Sequence, residues 1–192
     1  MGQRLNIEIV DSSGCIANAY YHWSAYTYSA MQLVEWIMEW YFDRGIPLTV
    51  LETAVALLQV TGAGFDDYEM QYIEENYKHV FDEIGLRHST DRNSGLLAIS
   101  KKGIEDTERW EEGRVTINLD SETIDFNVVW FDDEDSYNDG QEDDLAFSKL
   151  PVMDDFSFEN IPFSDFWRVR EIYEEYNTGF RTSSGVAITW IG

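Results

Sequence analysis

Cysteine occurs once, at Cys15, so no disulfide framework can form within the chain, and a reducing, cytoplasmic setting is the simplest reading. Histidine occurs three times, at His22, His79 and His88, with no zinc-ligand spacing among them or to Cys15. Bases are scarce: Lys and Arg number 13, and their densest cluster is Lys101-Lys102. A phosphate polyanion needs a basic footprint, so no direct nucleic-acid binding is expected. No long apolar run is present either. The stretch Ile46 to Val60 is interrupted by Pro47, Thr49, Glu52, Thr53 and Gln59, which makes it too short and too polar for a bilayer. The opening MGQRLNIEIV alternates instead of showing a basic head and an apolar core, so no signal peptide and no membrane partner are expected.

Catalytic motifs are also missing. Gly62-Ala63-Gly64 lacks the Lys and Ser/Thr of a phosphate loop. Cys15 and His22 could act as nucleophile and base only if they met across a hairpin, and a strand cysteine beside an ordinary imidazole is the plainer reading. Carboxylate pairs such as Asp66-Asp67 arise by chance in a chain with 37 acids. The expectation is a protein that is not an enzyme and needs no cofactor or metal.

What the chain has is aromatic side chains and negative charge. Aromatics make up 15% and apolar residues 44%, enough to fold and bury a core. Acids outnumber bases 37 to 13, giving a net charge of −24. Self-repulsion at that charge opposes compaction, so salt, a cation or a partner is expected to relieve it. The charge is uneven: residues 114–160 hold 14 acids and 2 bases, whereas residues 1–64 hold 6 and 2. The densest stretch is WFDDEDSYNDGQEDDLAF, residues 130–147, with Asp132, Asp133, Glu134, Asp135, Asp139, Glu142, Asp143 and Asp144 and no base.

Periodicity gives the fold class. Leu5, Ile7 and Ile9 alternate with Asn6 and Glu8 as a half-buried strand, Asp11 to Gly14 is turn chemistry, and residues 15–23 return as a hairpin. Val115, Ile117 and Leu119, then Ile124, Phe126, Val128 and Trp130, predict a second hairpin over 114–131 turning at Asp120-Ser121-Glu122. Helices are expected from Thr27 or Ser29 to about Tyr41, buried on most sides, then over 48–60 and 66–84, with a short polar one over 104–111. A last helix capped by Ser164 runs to about Tyr176, and residues 185–191 close the chain as a strand. The outer face of the 66–84 helix is assigned Glu69, Glu74, Glu75, Asp82 and Glu83. The sum is a single α+β domain over 1–192: a mainly antiparallel sheet from two hairpins and a C-terminal strand, packed with about four helices, carrying an acidic loop at about 132–146.

That loop is the candidate site. As a calcium loop it needs glycine at position six, which only Gly140 can supply. Position three is then Tyr137 and position twelve Ala146, so the bidentate acid is missing. A divalent-cation or general interaction module remains the alternative. The leading reading is imitation of DNA. Duplex DNA carries about one charge per 1.7 Å of axis, so a protein roughly 40 Å long could match it with about twenty acids. The binding residues are then the eight loop acids with Tyr137, and Glu74 and Glu75 on the third helix. The partner is a basic nucleic-acid-binding protein, and a homodimer is possible.

The opening MGQRLNIEI followed by ANAYYHWSAYT resembles small proteins encoded by bacteriophages and prophages of Gram-positive bacteria, over about the first thirty residues. The acidity of the rest is similar to that of phage anti-restriction and anti-CRISPR proteins that imitate DNA. The resemblance implies a counter-defence inhibitor acting in the host cytoplasm on a CRISPR nuclease or a restriction enzyme.

Overall fold

The computed structural model describes residues 4–22, 24, 27–91, 94–108, 111–128, 152, 158–175, 180–181, 183 and 187–188. The alternation at the start of the chain produces β1 (Leu5–Asp11), with Leu5, Ile7 and Ile9 completely buried on one face. β2 (Gly14–Tyr21) returns antiparallel beside it. Asp11 accepts hydrogen bonds from the Ser13 hydroxyl and N–H, and Gly14 takes a φ of 114° that a side chain would resist. The Ser13 hydroxyl, then its N–H, hold the Asp11 carboxyl below the usual carboxylate range.

Two helices cover the Leu5–Ile7–Ile9 face. α1 (Thr27–Asp43) contributes Met31, Val34, Ile37 and Met38, and α2 (Val50–Gln59) contributes Ala54, Val55, Leu57 and Leu58. α2 begins with a capping box. The Thr49 hydroxyl accepts from Glu52 N–H at 3.3 Å, and the Glu52 carboxylate accepts from Thr49 N–H at 2.9 Å. β3 (Gly64–Phe65) then leads to α3 (Asp67–Asn76), capped by Asp66, whose Oδ1 accepts from Glu69 N–H at 2.9 Å. β4 (Leu96–Ala98) and α4 (Lys101–Glu108) follow.

The second hairpin comprises β5 (Gly113–Asn118) and β6 (Thr123–Asn127). Its turn is an Asx turn, in which Asn118 Oδ1 accepts from Asp120 N–H and Ser121 N–H, both at 3.0 Å. β7 (Ile161–Pro162) pairs with β6, and a 3₁₀ turn (Phe163–Asp165) runs into α5 (Phe166–Glu175). Among the described residues, β8 (Phe180–Arg181) and β9 (Ala187–Ile188) pair only with each other.

The fold is α+β, but the sheet is mixed instead of mainly antiparallel. Its order is β3-β4-β2-β1-β5-β6-β7. The two hairpins are joined by a parallel seam, Leu5↔Gly113 through Val10↔Asn118, and β3 also pairs in parallel with β4. A parallel pair requires a crossover connection, and everything from β2 to α4 serves as that crossover. The expected C-terminal strand does not close this sheet: its described residues, Ala187–Ile188, lie in the separate β8–β9 pair.

Other expectations are also corrected. Five α-helices are present among the described residues, because the polar segment 101–108 is a full helix. α3 stops at Asn76 instead of Ile84: Tyr77 leaves helical geometry at φ −131°, and His79 takes a φ of 69° that no helix continues through. α1 is not buried on most sides, since Trp36 is 41% and Phe42 54% exposed. Ser164 sits inside the 3₁₀ turn, where its hydroxyl donates to Asp165, and does not cap α5.

Candidate functional site: acids that face inward and acids that face outward

The eight loop acids Asp132, Asp133, Glu134, Asp135, Asp139, Glu142, Asp143 and Asp144, together with Tyr137 and Gly140, lie outside the described residues. Glu74 and Glu75 are described. Both stand exposed on the last turns of α3, where Glu75 accepts from the Gln71 side chain at 2.8 Å. Neither makes an ion pair among the described residues.

Glu69, assigned by sequence to the same outer face, is instead 2% exposed. Its Oε2 accepts from the Ile99 N–H at 2.9 Å and the Ser100 N–H at 3.0 Å, and the Ser100 hydroxyl donates to its Oε1. Ser100 in turn accepts from Gly103 N–H at 2.9 Å, opening α4. A Cβ at Gly103 would overlap the Glu69 carboxylate, so the glycine makes this approach possible. The Glu69 side chain in the first turn of α3 thereby bolts α3 to the start of α4. Asp67, Glu74 and Glu75 of α3 and Glu105, Asp106 and Glu108 of α4 are all exposed.

Between the two helices lies a cleft of about 320 Å³ lined by Tyr20, Asp66, Tyr68, Lys102, Asp106 and Thr107, among others. Lys102 meets Tyr68 at this cleft. Its ammonium sits 4.4 Å from the centre of the Tyr68 ring, a cation–π contact within the protein.

Other bases are similarly engaged within the molecule. Arg114 donates to Glu111 at 2.7 Å and reaches Glu8 at 3.4 Å. Burial pulls the Arg114 guanidinium down, but the bond to Glu111 and the charge of Glu8 outweigh it and hold the pKa above its ordinary value. Arg170 donates to Glu35 at 3.0 Å, Lys101 stands 3.8 Å from Glu105, and Arg44 stacks 3.7 Å over the Tyr41 ring.

Glu8 belongs to a polar patch on the sheet face opposite the core. It accepts from Thr116 at 2.6 Å, while Asn6 and Asn18 both donate to Thr107 of α4. The Oδ1 atoms of Asn6 and Asn18 are buried and take no hydrogen bond from the described residues. Cys15 lies near this patch. Burial, then the charges of Glu8 and Glu108, push its thiol up to about 12. A thiol so raised is not a nucleophile. His22 cannot activate it, because Cys15 and His22 lie near opposite ends of β2 instead of facing across the hairpin. The His22 ring bonds Tyr20 at 2.9 Å.

No group of three or more acids, histidines or cysteines is arranged to hold a metal among the described residues. No described helix is long and apolar enough to cross a membrane. Comparison of the chain with protein-family models, with curated proteins and with solved structures gives no match.

Proposed function

We propose that this protein is a non-enzymatic, phage-encoded inhibitor of a host nucleic-acid-targeting defence system. It acts in the host cytoplasm, and its carboxylates occupy the basic channel of a CRISPR nuclease or restriction enzyme in place of DNA phosphates. The observation that carries this reading is the division of charge. Arg114 and Arg170 are spent on carboxylates of the protein itself and Arg44 and Lys102 lie over its rings, whereas Glu74, Glu75 and Glu83 face outward with no ion pair among the described residues, as do the bases Lys78, Arg87 and Arg168.

Magnitudes apportion the work. A ten-residue helix is about 15 Å long, and duplex DNA carries about nine charges over that length. α3 offers three exposed acids, Asp67, Glu74 and Glu75. The greater part of the imitation therefore falls to the eight acids of the 132–144 stretch. Attraction of this kind steers encounter and weakens steeply with salt.

The test is retention of purified CRISPR nucleases and restriction enzymes on the immobilised protein. Retention is expected at about 0.1 M NaCl, loss by about 1 M, and displacement by duplex DNA. Neutralising Asp132, Asp133, Glu134 and Asp135 together to Asn or Gln should weaken retention. No retention at low salt, or retention indifferent to salt, overturns the reading.

A further inference from the structure

Four of the seven large apolar side chains exposed among the described residues sit together. Trp36 and Phe42 of α1, Ile46 of the α1–α2 connection and Trp167 of α5 line one groove of about 1120 Å³. Their exposures are 41%, 54%, 47% and 37%. A patch of this kind on a folded protein marks an interaction site more often than an accident of surface composition.

The groove is preformed. Arg170 of α5 donates to Glu35 of α1 at 3.0 Å, with both side chains mostly buried. Trp167 lies one turn before Arg170, and Trp36 directly follows Glu35, so one ion pair sets both walls. Beneath, the fully buried Phe166 meets the Trp167 ring edge-on at 5.3 Å.

Charge selects the occupant. Glu39 and Asp43 of α1 stand exposed on the groove's rim. Arg170 is held by Glu35, and Arg44, which also lines the groove, lies over Tyr41 while donating to its carbonyl at 2.8 Å. The lining therefore carries two carboxylates against one cation, a net acidic rim. A second copy of a chain with net charge −24 would set one acidic rim against another. The chain's own acidic 129–151 segment carries the same wrong sign.

We infer that the α1–α5 groove docks a basic amphipathic segment of the partner protein, whose apolar face packs on Trp36, Phe42 and Trp167 while its cations meet Glu39 and Asp43. The identity of that partner rests on the function proposed above; the chemistry of the groove does not. Mimicry supplies long-range attraction, and the groove supplies the salt-resistant apolar anchor that charge alone lacks.

The probes are a synthetic amphipathic peptide of Leu and Lys and an oligolysine of equal charge, each fluorescently labelled and titrated onto the full chain. At about 0.5 M NaCl the Leu/Lys peptide should stay bound while oligolysine is lost. Phe42→Ala and Trp167→Ala should each weaken the Leu/Lys peptide by about tenfold, with unchanged circular dichroism. Glu74→Gln should not. Equal binding of both probes, or unaltered affinity in both groove variants, overturns the inference. So does a dimer in sedimentation that Phe42→Ala dissociates, or peptide binding that tightens when residues 129–151 are deleted. The two readings fail separately. Peptide binding with no retention of any nuclease sinks the proposed function alone. Salt-sensitive nuclease retention unchanged by Phe42→Ala, with no peptide preference, sinks the groove alone.

Discussion

The α3–α4 junction and the outer flank of α3 use the same side chain for opposite purposes. At the junction Glu69 is buried and takes two backbone N–H groups and a hydroxyl. One and a half turns further along, Glu74 stands in solvent with no ion pair among the described residues. A carboxylate can be buried only where donors converge on it. The start of α4 provides them for Glu69, and nothing provides them for Glu74. Of these two acids, then, Glu69 is part of the architecture and cannot take part in binding, whereas Glu74 is open to solvent.

The most forceful way to break that distinction is Glu69→Ala. It leaves the Ile99 and Ser100 N–H groups buried and unpaired, and about 3 kcal/mol of stability should be lost in urea unfolding. A loss no larger than that of an exposed glutamate would mean the junction is not structural. Next is Cys15, which senses the inward acid Glu8. With its thiol pushed up to about 12, its labelling by a disulfide reagent at mildly alkaline pH should be slower than in the urea-unfolded chain. The difference should be on the order of a hundredfold. Equal rates would place Cys15 in open solvent. The sign of the linked stability follows. The raised thiol stabilises the fold below the ordinary thiol pKa, and that contribution is lost as pH rises through about 12.

A smaller effect is expected at the cap of α2. The Thr49 hydroxyl, then its N–H, hold the Glu52 carboxyl below the usual carboxylate range. Thr49→Ala should cost about 1 kcal/mol at neutral pH. Because the depressed carboxyl stabilises the fold above its unfolded pKa, that penalty should shrink as pH falls through the carboxylate range. A penalty independent of pH would remove Glu52 from the account. Least of all, Glu74→Gln with Glu75→Gln should change stability by no more than about 0.5 kcal/mol while lowering partner retention at low salt. A large stability change would make the flank architectural too.

Local chemistry was readable where one stretch of chain decides the outcome. The period-two alternation of Leu5, Ile7 and Ile9, and of Val115 and Ile117, marks both hairpins, and the apolar run over 48–60 contains α2. The parallel seam between β1 and β5 left no local trace, because its partners are separated by the whole crossover. α3 was drawn too long because Val80, Phe81 and Ile84 keep helical spacing, yet the left-handed His79 redirects them as turns. Glu69 was misplaced for a related reason: spacing alone puts it beside the outer acids, and only the arrival of Ile99 and Ser100 from another element turns it inward. Trp36 reads as core because it is apolar, and Phe42 lies past the expected helix end at about Tyr41. Their exposure depends on how far α5 covers α1, which no window of sequence reports.

The parallel seam also bears on how the protein is made. β1 leaves the ribosome well before the strand that pairs its second edge, Gly113–Asn118, which follows roughly a hundred residues later. Until then the early hairpin keeps one ladder of amides and carbonyls open, a template for pairing with a neighbouring nascent chain. Ribosome-stalled chains ending after Glu112 and after Asn127, compared by hydrogen exchange at the β1 amides, measure that interval directly. Protection already complete in the shorter chain would show that β1 does not wait for its partner.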